Sequence, residues 1–207
     1  FGMQGEGPHA AISGTKLVVT DSFYNRVVIW NPLPTTNGQA ANIVLGQTSF
    51  GPISSGNSSS KLSRPRGVWT DGTRLVVADT ANHRVLIWTT FPTSNGEAAD
   101  LVLGQTGFDL STAPTSPTAT NMNGPTGVYS DGTRLYVADR GQNRVLVWNT
   151  FPTSNNEAAD YAIGQPDLTT GTAGTSATTL RSPQSIAIAG NALFVADELN
   201  DRILVYT

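Results

Sequence analysis

An all-β protein assembled from four copies of one small sheet is the fold that the sequence predicts. Three observations carry it. An apolar run closed by Asp occurs four times, as LVVTD, LVVAD, LYVAD and LFVAD, ending at Asp21, Asp79, Asp139 and Asp197 with spacings of 58, 60 and 58. Arg26, Arg84, Arg144 and Arg202 follow these Asp residues by five positions, and Trp30, Trp88, Trp148 and Tyr206 follow by nine. A second shared stretch lies between the copies and reads LPTTNGQAANIVLGQ, FPTSNGEAADLVLGQ and FPTSNNEAADYAIGQ. Self-similarity at such a period marks units that bury their apolar faces by stacking on one another.

The third copy shows the elements in order. GVYS (127–130) is a first strand, and DGT (131–133) a tight turn in which Gly132 supplies positive φ. RLYVAD (134–139) is the second strand, GQN a second turn, RVLVW (144–148) the third strand, and YAIGQ (161–165) the fourth after a longer loop. The units predicted this way span 8–47, 65–105, 125–165 and 183–207 of a single domain covering residues 1–207. No segment keeps a 3.6-residue apolar period, so few helices are expected.

Strands two and three are apolar on both faces: Leu75 and Val77 point one way, Val76 and Ala78 the other. A sheet of that kind needs a neighbour on each side. Radial stacking of four-stranded sheets supplies both neighbours, which predicts a β-propeller or a piece of one. The last copy ends after its third strand, leaving Ile203, Leu204 and Val205 on an unpaired edge. Residues 1–5 could add the closing strand of a four-bladed ring. That strand is short and broken by glycine, so the expectation is a partial or partnered propeller.

Composition agrees with strands and turns. Gly (21) and Pro (12) are plentiful, and charged residues make up only 13%. A net charge of -3 gives no field for nucleic acid, and no apolar run is long enough for a membrane-spanning helix. Cysteine is absent, which excludes disulfides and thiolate chemistry. The Ser/Thr/Asn-rich surface, with Lys16 and Lys61 its only lysines, suggests an exported protein, extracellular or periplasmic.

On these residues the chain resembles the NHL-repeat family of β-propellers, as a bacterial long-blade variant. The shared pattern is Pro-x-Gly-Val, an Asp-Gly turn, and L-(Y/V)-V-A-D-x-x-N-x-R-V-x-(V/I)-W. PRGVWTDGTRLVVADTANHRVLIW and PTGVYSDGTRLYVADRGQNRVLVW match it best. PHAAISGTKLVVTDSFYNRVVIW and PQSIAIAGNALFVADELNDRILVY drift from it. The units here are longer than the family's usual blade, with insertions at 48–62, 106–122 and 166–180. The resemblance specifies a fold rather than a function, since the family includes scaffolds, RNA binders and lyases.

The candidate residues divide into two sets. The repeated Asp, Arg and Trp/Tyr recur in every unit, which predicts structural roles. The carboxylates should hold turn N–H groups and the arginines, and the aromatics should pack blade on blade. Variable residues at equivalent positions are the candidates for binding. His9, Arg66, Thr126 and Gln184 follow the blade Pro, and Tyr24, His83, Gln142 and Asn200 sit in the second turn. The resemblance places both sets near one face, around a central channel. With only His9 and His83 as histidines, a three-histidine zinc site is impossible, and no nucleophile or phosphate-loop motif occurs. The expected function is a non-enzymatic binding or scaffold module without a cofactor, acting on a protein partner or surface, or by self-association, through one propeller face and the long loops. Two other functions fit the fold. One is a lactonase- or lyase-like enzyme with a carboxylate-bound divalent cation such as calcium. The other is a carbohydrate-binding propeller.

Overall fold

The computed structural model describes residues 9–207. Four small antiparallel sheets follow one another along the chain, and in each the strands pair in simple sequence order. Blade one holds β1 (Ala10–Ser13), β2 (Lys16–Asp21), β3 (Arg26–Trp30) and β4 (Ile43–Leu45). Blade two holds β5 (Pro65–Thr70), β6 (Leu75–Asp79), β7 (Arg84–Trp88) and β8 (Leu101–Leu103). Blade three holds β9 (Pro125–Ser130), β10 (Leu135–Asp139), β11 (Arg144–Trp148) and β12 (Tyr161–Ile163). Blade four holds β13 (Pro183–Ala189), β14 (Ala192–Asp197) and β15 (Arg202–Tyr206). The only helical elements among the described residues are four three-residue 3-10 turns. None is long and apolar enough to cross a membrane.

Turn chemistry sets the register of each sheet. In the first hairpin of blade two, Asp71 Oδ1 accepts the N–H groups of Thr73 (2.8 Å) and Arg74 (2.7 Å), and Gly72 takes φ 90°. The second hairpin is a 3-10 turn that ends on a left-handed residue: Asn25, His83, Asn143 or Asp201, with φ of 53, 53, 55 and 49°. Asn and Asp tolerate that conformation best. The fourth strand is shorter than its sequence suggests, because Gly164 turns away at φ 88° against Leu180. Gln165 then donates to Asn143 O (2.8 Å) and Thr172 O (2.9 Å).

Each blade has a forward face and a rear face. Val18, Val27 and Ile29 of blade one meet Leu75, Val77, Leu86 and Trp88 of blade two in one buried cluster. Val76, Ala78, Val85 and Ile87 meet Leu135, Val137, Leu146 and Trp148 in the next. Tyr136, Val145 and Val147 meet Leu193, Val195, Leu204 and Tyr206 in the third. The innermost strands pass close together where glycine allows it. A Cβ on Gly127 would lie 2.8 Å from Gln184 O and 3.0 Å from Ser185 Cα. The ring is not closed among the described residues, since Ile12 and Ile203 are 65 and 66% exposed on its two outward faces. The closing strand expected at residues 1–5 lies outside the described residues.

Candidate functional site

The four innermost strands line a concavity of about 360 Å³. His9 to Ile12, Gly67 to Thr70, Gly127 to Tyr129 and Ser185–Ile186 form its wall, so every blade contributes. Aromatic surface comes from Trp69 and Tyr129, and Trp69 leans on Phe151 at 6.1 Å between ring centroids.

Of the residues after the blade Pro, His9 lines this concavity, and Arg66, Thr126 and Gln184 stand at bulges immediately before the lining residues Gly67, Gly127 and Ser185. In blade three Ala138 faces Gly127 while Asp139 faces Pro125, which leaves Thr126 as the extra residue. Gln184 is extra in the same way, between Pro183 and Ser185. In blade two Arg66 and Gly67 fall between the paired Pro65 and Val68. Such bulges re-aim a side chain. Blade one is one residue shorter between Pro8 and Asp21, and its register stays regular from Ala10 opposite Val19. There His9 and Thr20 are bonded both ways, Thr20 N–H to His9 O and His9 N–H to Thr20 Oγ1, each 2.9 Å.

The four residues after the blade Pro differ in what they offer. Thr126 is fully buried, and its hydroxyl donates to Pro183 O at 3.2 Å. Gln184 Nε2 donates to Glu198 Oε2 (2.8 Å), which also receives the Arg140 guanidinium at 3.1 Å. His9 and Arg66 are partly exposed. Burial, and then the Arg66 charge, hold the His9 imidazole below its ordinary pKa, so it is neutral at physiological pH.

The turn residues are tied into the scaffold to different degrees. His83 Nδ1 accepts the Gly124 N–H at 3.1 Å, across the junction to blade three. Asn25 Oδ1 does the same for Arg64 (3.0 Å) and Asn143 Oδ1 for Ser182 (2.9 Å). Gln142 is buried and accepts from Arg144, and Asn200 donates to Asp197 Oδ2 at 2.7 Å. Tyr24 is 41% exposed, with the Arg26 guanidinium 4.9 Å from its ring centroid. The side chains most open to solvent are the ones between: Phe23 at 83% and Leu199 at 49%, each in the middle of its 3-10 turn. Both belong to the variable second-turn segments that the sequence offers for binding, beside Tyr24 and Asn200.

The repeated Asp and Arg make one network per blade. Asp79 Oδ2 accepts from Arg84 Nε (2.7 Å) and Asn82 Nδ2 (2.8 Å). Its Oδ1 accepts the Ser63 N–H at 2.7 Å, a backbone group before the inner strand rather than in the turn. Burial pushes the Asp79 and Asp139 carboxyls up to about 6, against the pull of their arginines, so both are ionised at neutral pH. The arginine then holds the insertions. Arg84 donates to the carbonyls of Asn57 (2.5 Å), Ser58 (3.0 Å), Lys61 (2.9 Å) and Phe108. Arg144 takes Leu168 (2.6 Å), Thr118 (3.0 Å) and Asn121 (2.9 Å). The long loops are thus fastened to the blade core. Among the described residues, no three His, Cys, Asp or Glu side chains come together as a metal site.

No known family model matches this chain, and no curated protein matches it in sequence. Solved structures do resemble it. The chain superposes on a structure of a nidogen/laminin complex with a TM-score of 0.55 at 18% identity, over 98% of this chain and 60% of that one. It superposes on the computationally designed Ika4 protein with a TM-score of 0.51 at 12% identity, over 99% of this chain and 93% of that one. At such identities the likeness is one of fold. Sequential sheets, stacked faces and a shared inner concavity define a β-propeller-like protein. This chain spans about 60% of the nidogen/laminin chain it resembles.

Proposed function

We propose that this chain is a non-enzymatic module that binds a protein partner across the face carrying the 3-10 turns and the mouth of the concavity. One observation carries this reading. Phe23 and Leu199 occupy a turn position that faces water in every blade, since Ala81 and Gly141 are exposed there with a blade on either side. An 83% exposed Phe at such a position is not the result of a missing neighbour. Apolar side chains held on rigid turns are what a partner surface desolvates. The loops behind them are fixed by the arginine networks, so little ordering entropy is lost on binding. The neighbouring fold found in a nidogen/laminin complex is compatible with a binding role. The repeat pattern leads us to place the chain with NHL-type propellers, and its lysine-poor, Ser/Thr/Asn-rich composition to place it outside the cytoplasm.

The test is selection of displayed random peptides on the immobilised chain, repeated with the double variant Phe23→Ser, Leu199→Ser. Enriched peptides should bind the parent and lose at least tenfold on the variant, with the melting curves of the two proteins superimposable. Peptides that bind both proteins equally would move the site elsewhere.

A further inference from the structure

Three successive junctions in this chain are made in one way, and the two outward faces are the two halves of a fourth. At each junction the forward face of one blade presents four positions. They hold Val76, Ala78, Val85 and Ile87 in blade two, and Tyr136, Ala138, Val145 and Val147 in blade three, all buried. The rear face of the following blade answers: Leu135, Val137, Leu146 and Trp148 of blade three, at 0 or 1% exposure, meet the first set, and Leu193, Val195 and the partly buried Leu204 and Tyr206 of blade four meet the second. Blade four carries the forward set as Phe194, Ala196, Ile203 and Val205, with Ile203 at 66% and Val205 at 52% exposure. Blade one carries the rear set as Leu17, Val19, Val28 and Trp30, all partly exposed, beside Ile12 at 65%. The open faces therefore differ from each other and carry the two apolar sets that meet at an internal junction, with Val28 in place of Leu on one and Phe194 and Ile203 in place of Val76 and Val85 on the other.

A polar feature of the junction is present as well. At the three internal junctions a left-handed turn residue reaches forward to accept a backbone N–H of the next blade: Asn25 from Arg64, His83 from Gly124, Asn143 from Ser182. Asp201 stands in that position on blade four with φ 49°, and it is exposed.

We infer that the forward face of blade four docks on the rear face of blade one of a second copy of this chain. The contact is heterologous, so it generates a closed ring or an open filament according to the rotation it imposes. Two copies related by a two-fold axis along the concavity make the contact twice and bring eight blades round one axis, within the range of known propellers. Each contact repeats an interface this sequence already makes three times, so no new complementarity has to be invented for it. A contact between two like faces would instead set Phe194 and Ile203 against themselves, a pairing found at no internal junction.

The 207-residue chain should sediment at twice its 21.8 kDa mass. Val205→Glu on the forward face and Val28→Glu on the rear face should each return it to the single-chain mass. Both side chains lie on surfaces open in the single chain, so the cooperative melting transition should remain. If only one of the two variants dissociates, the association is face to like face and the proposal fails. A parent chain that sediments at 21.8 kDa overturns it too. Because the chain has no cysteine, single thiols can be added cleanly. A short bis-maleimide should join Val205→Cys to Val28→Cys in a mixture and should not join either variant to itself. Homodimeric cross-links from Val205→Cys alone would again contradict the head-to-tail contact.

Discussion

Blades two and three and blades one and four are written in nearly the same residues and are buried very differently. Val85 and Ile87 in blade two have no exposure, whereas their counterparts Ile203 and Val205 in blade four are 66 and 52% exposed. Asp79 and Arg84 are fully enclosed at 2.7 Å, whereas Asp21 and Arg26 keep 28 and 18% of their side chains in water at 2.9 Å. The arginine explains part of the contrast. Arg84 is covered by carbonyls of the insertion that precedes blade two, at Asn57, Ser58 and Lys61, while Arg26 is bonded to Asp21 and to Phe50 O. A repeated motif in a stacked protein has the energetics of its neighbours, because each face takes its dielectric and packing from the next blade.

The contrast can be broken most sharply at the ion pairs. Asp79→Ala should destabilise the chain by about 3–5 kcal/mol, because it strands a buried guanidinium. Asp21→Ala should cost under about 1 kcal/mol, as exposed pairs do. Urea unfolding of both variants at a concentration where the parent is a single chain checks this, and equal losses would dissolve the distinction between central and end blades. A parallel test uses the aromatics. Trp148→Ala empties a site that is 1% exposed and should cost about 3–5 kcal/mol. Trp30→Ala should cost clearly less, since part of that ring already lies in water.

Between the inner strands, Gly127→Ala places a Cβ 2.8 Å from Gln184 O, a backbone atom that cannot rotate away. Forcing blades three and four apart should cost about 1–3 kcal/mol. Gly190→Ala at the hairpin of blade four has open space around its Cβ and only the φ of 58° to oppose it, so its loss should be smaller.

A further effect is one of pH. Burial lowers the His83 pKa below its ordinary 6.5, with a hydrogen bond to Asn123 working the other way. A histidine depressed in the folded state binds fewer protons there than in the unfolded chain. Its contribution to stability is complete above about 6.5 and is lost as pH falls through the lower folded value. Protonation also turns Nδ1 from the acceptor of the Gly124 N–H into a donor. The loss should be about 1 kcal/mol, the size of one hydrogen bond. His83→Asn restores the acceptor found in blades one and three and should remove the part of the pH 7 to 5 change in melting temperature that His83 contributes, leaving the part from Asp79, Asp139 and His9 common to both proteins. An unchanged pH profile in that variant would show that the junction does not sense pH through His83.

The sequence by itself determined the repeat, the strands and their order. Asp, Arg and Trp recur at fixed offsets, and period-two runs that are apolar on both sides leave stacked sheets as the only way to bury them. The Pro-to-Asp spacing is 14 in three units and 13 in the first, and only the structure turns the extra residue into a bulge. What tertiary structure decided was which of the variable residues remain available. Thr126 and Gln142 looked as free as Gln184 or Tyr24, and they are buried because their hydrogen-bond partners come from the next blade or from Arg144. The insertions stand out in the sequence as long variable loops, and the structure fastens them through Arg84 and Arg144, over distances of more than twenty residues that no local pattern encodes. Phe23 and Ile203 are both apolar and exposed. Only the arrangement of blades separates a side chain that faces water in every unit from one whose counterparts Val85 and Val145 are buried against the next blade.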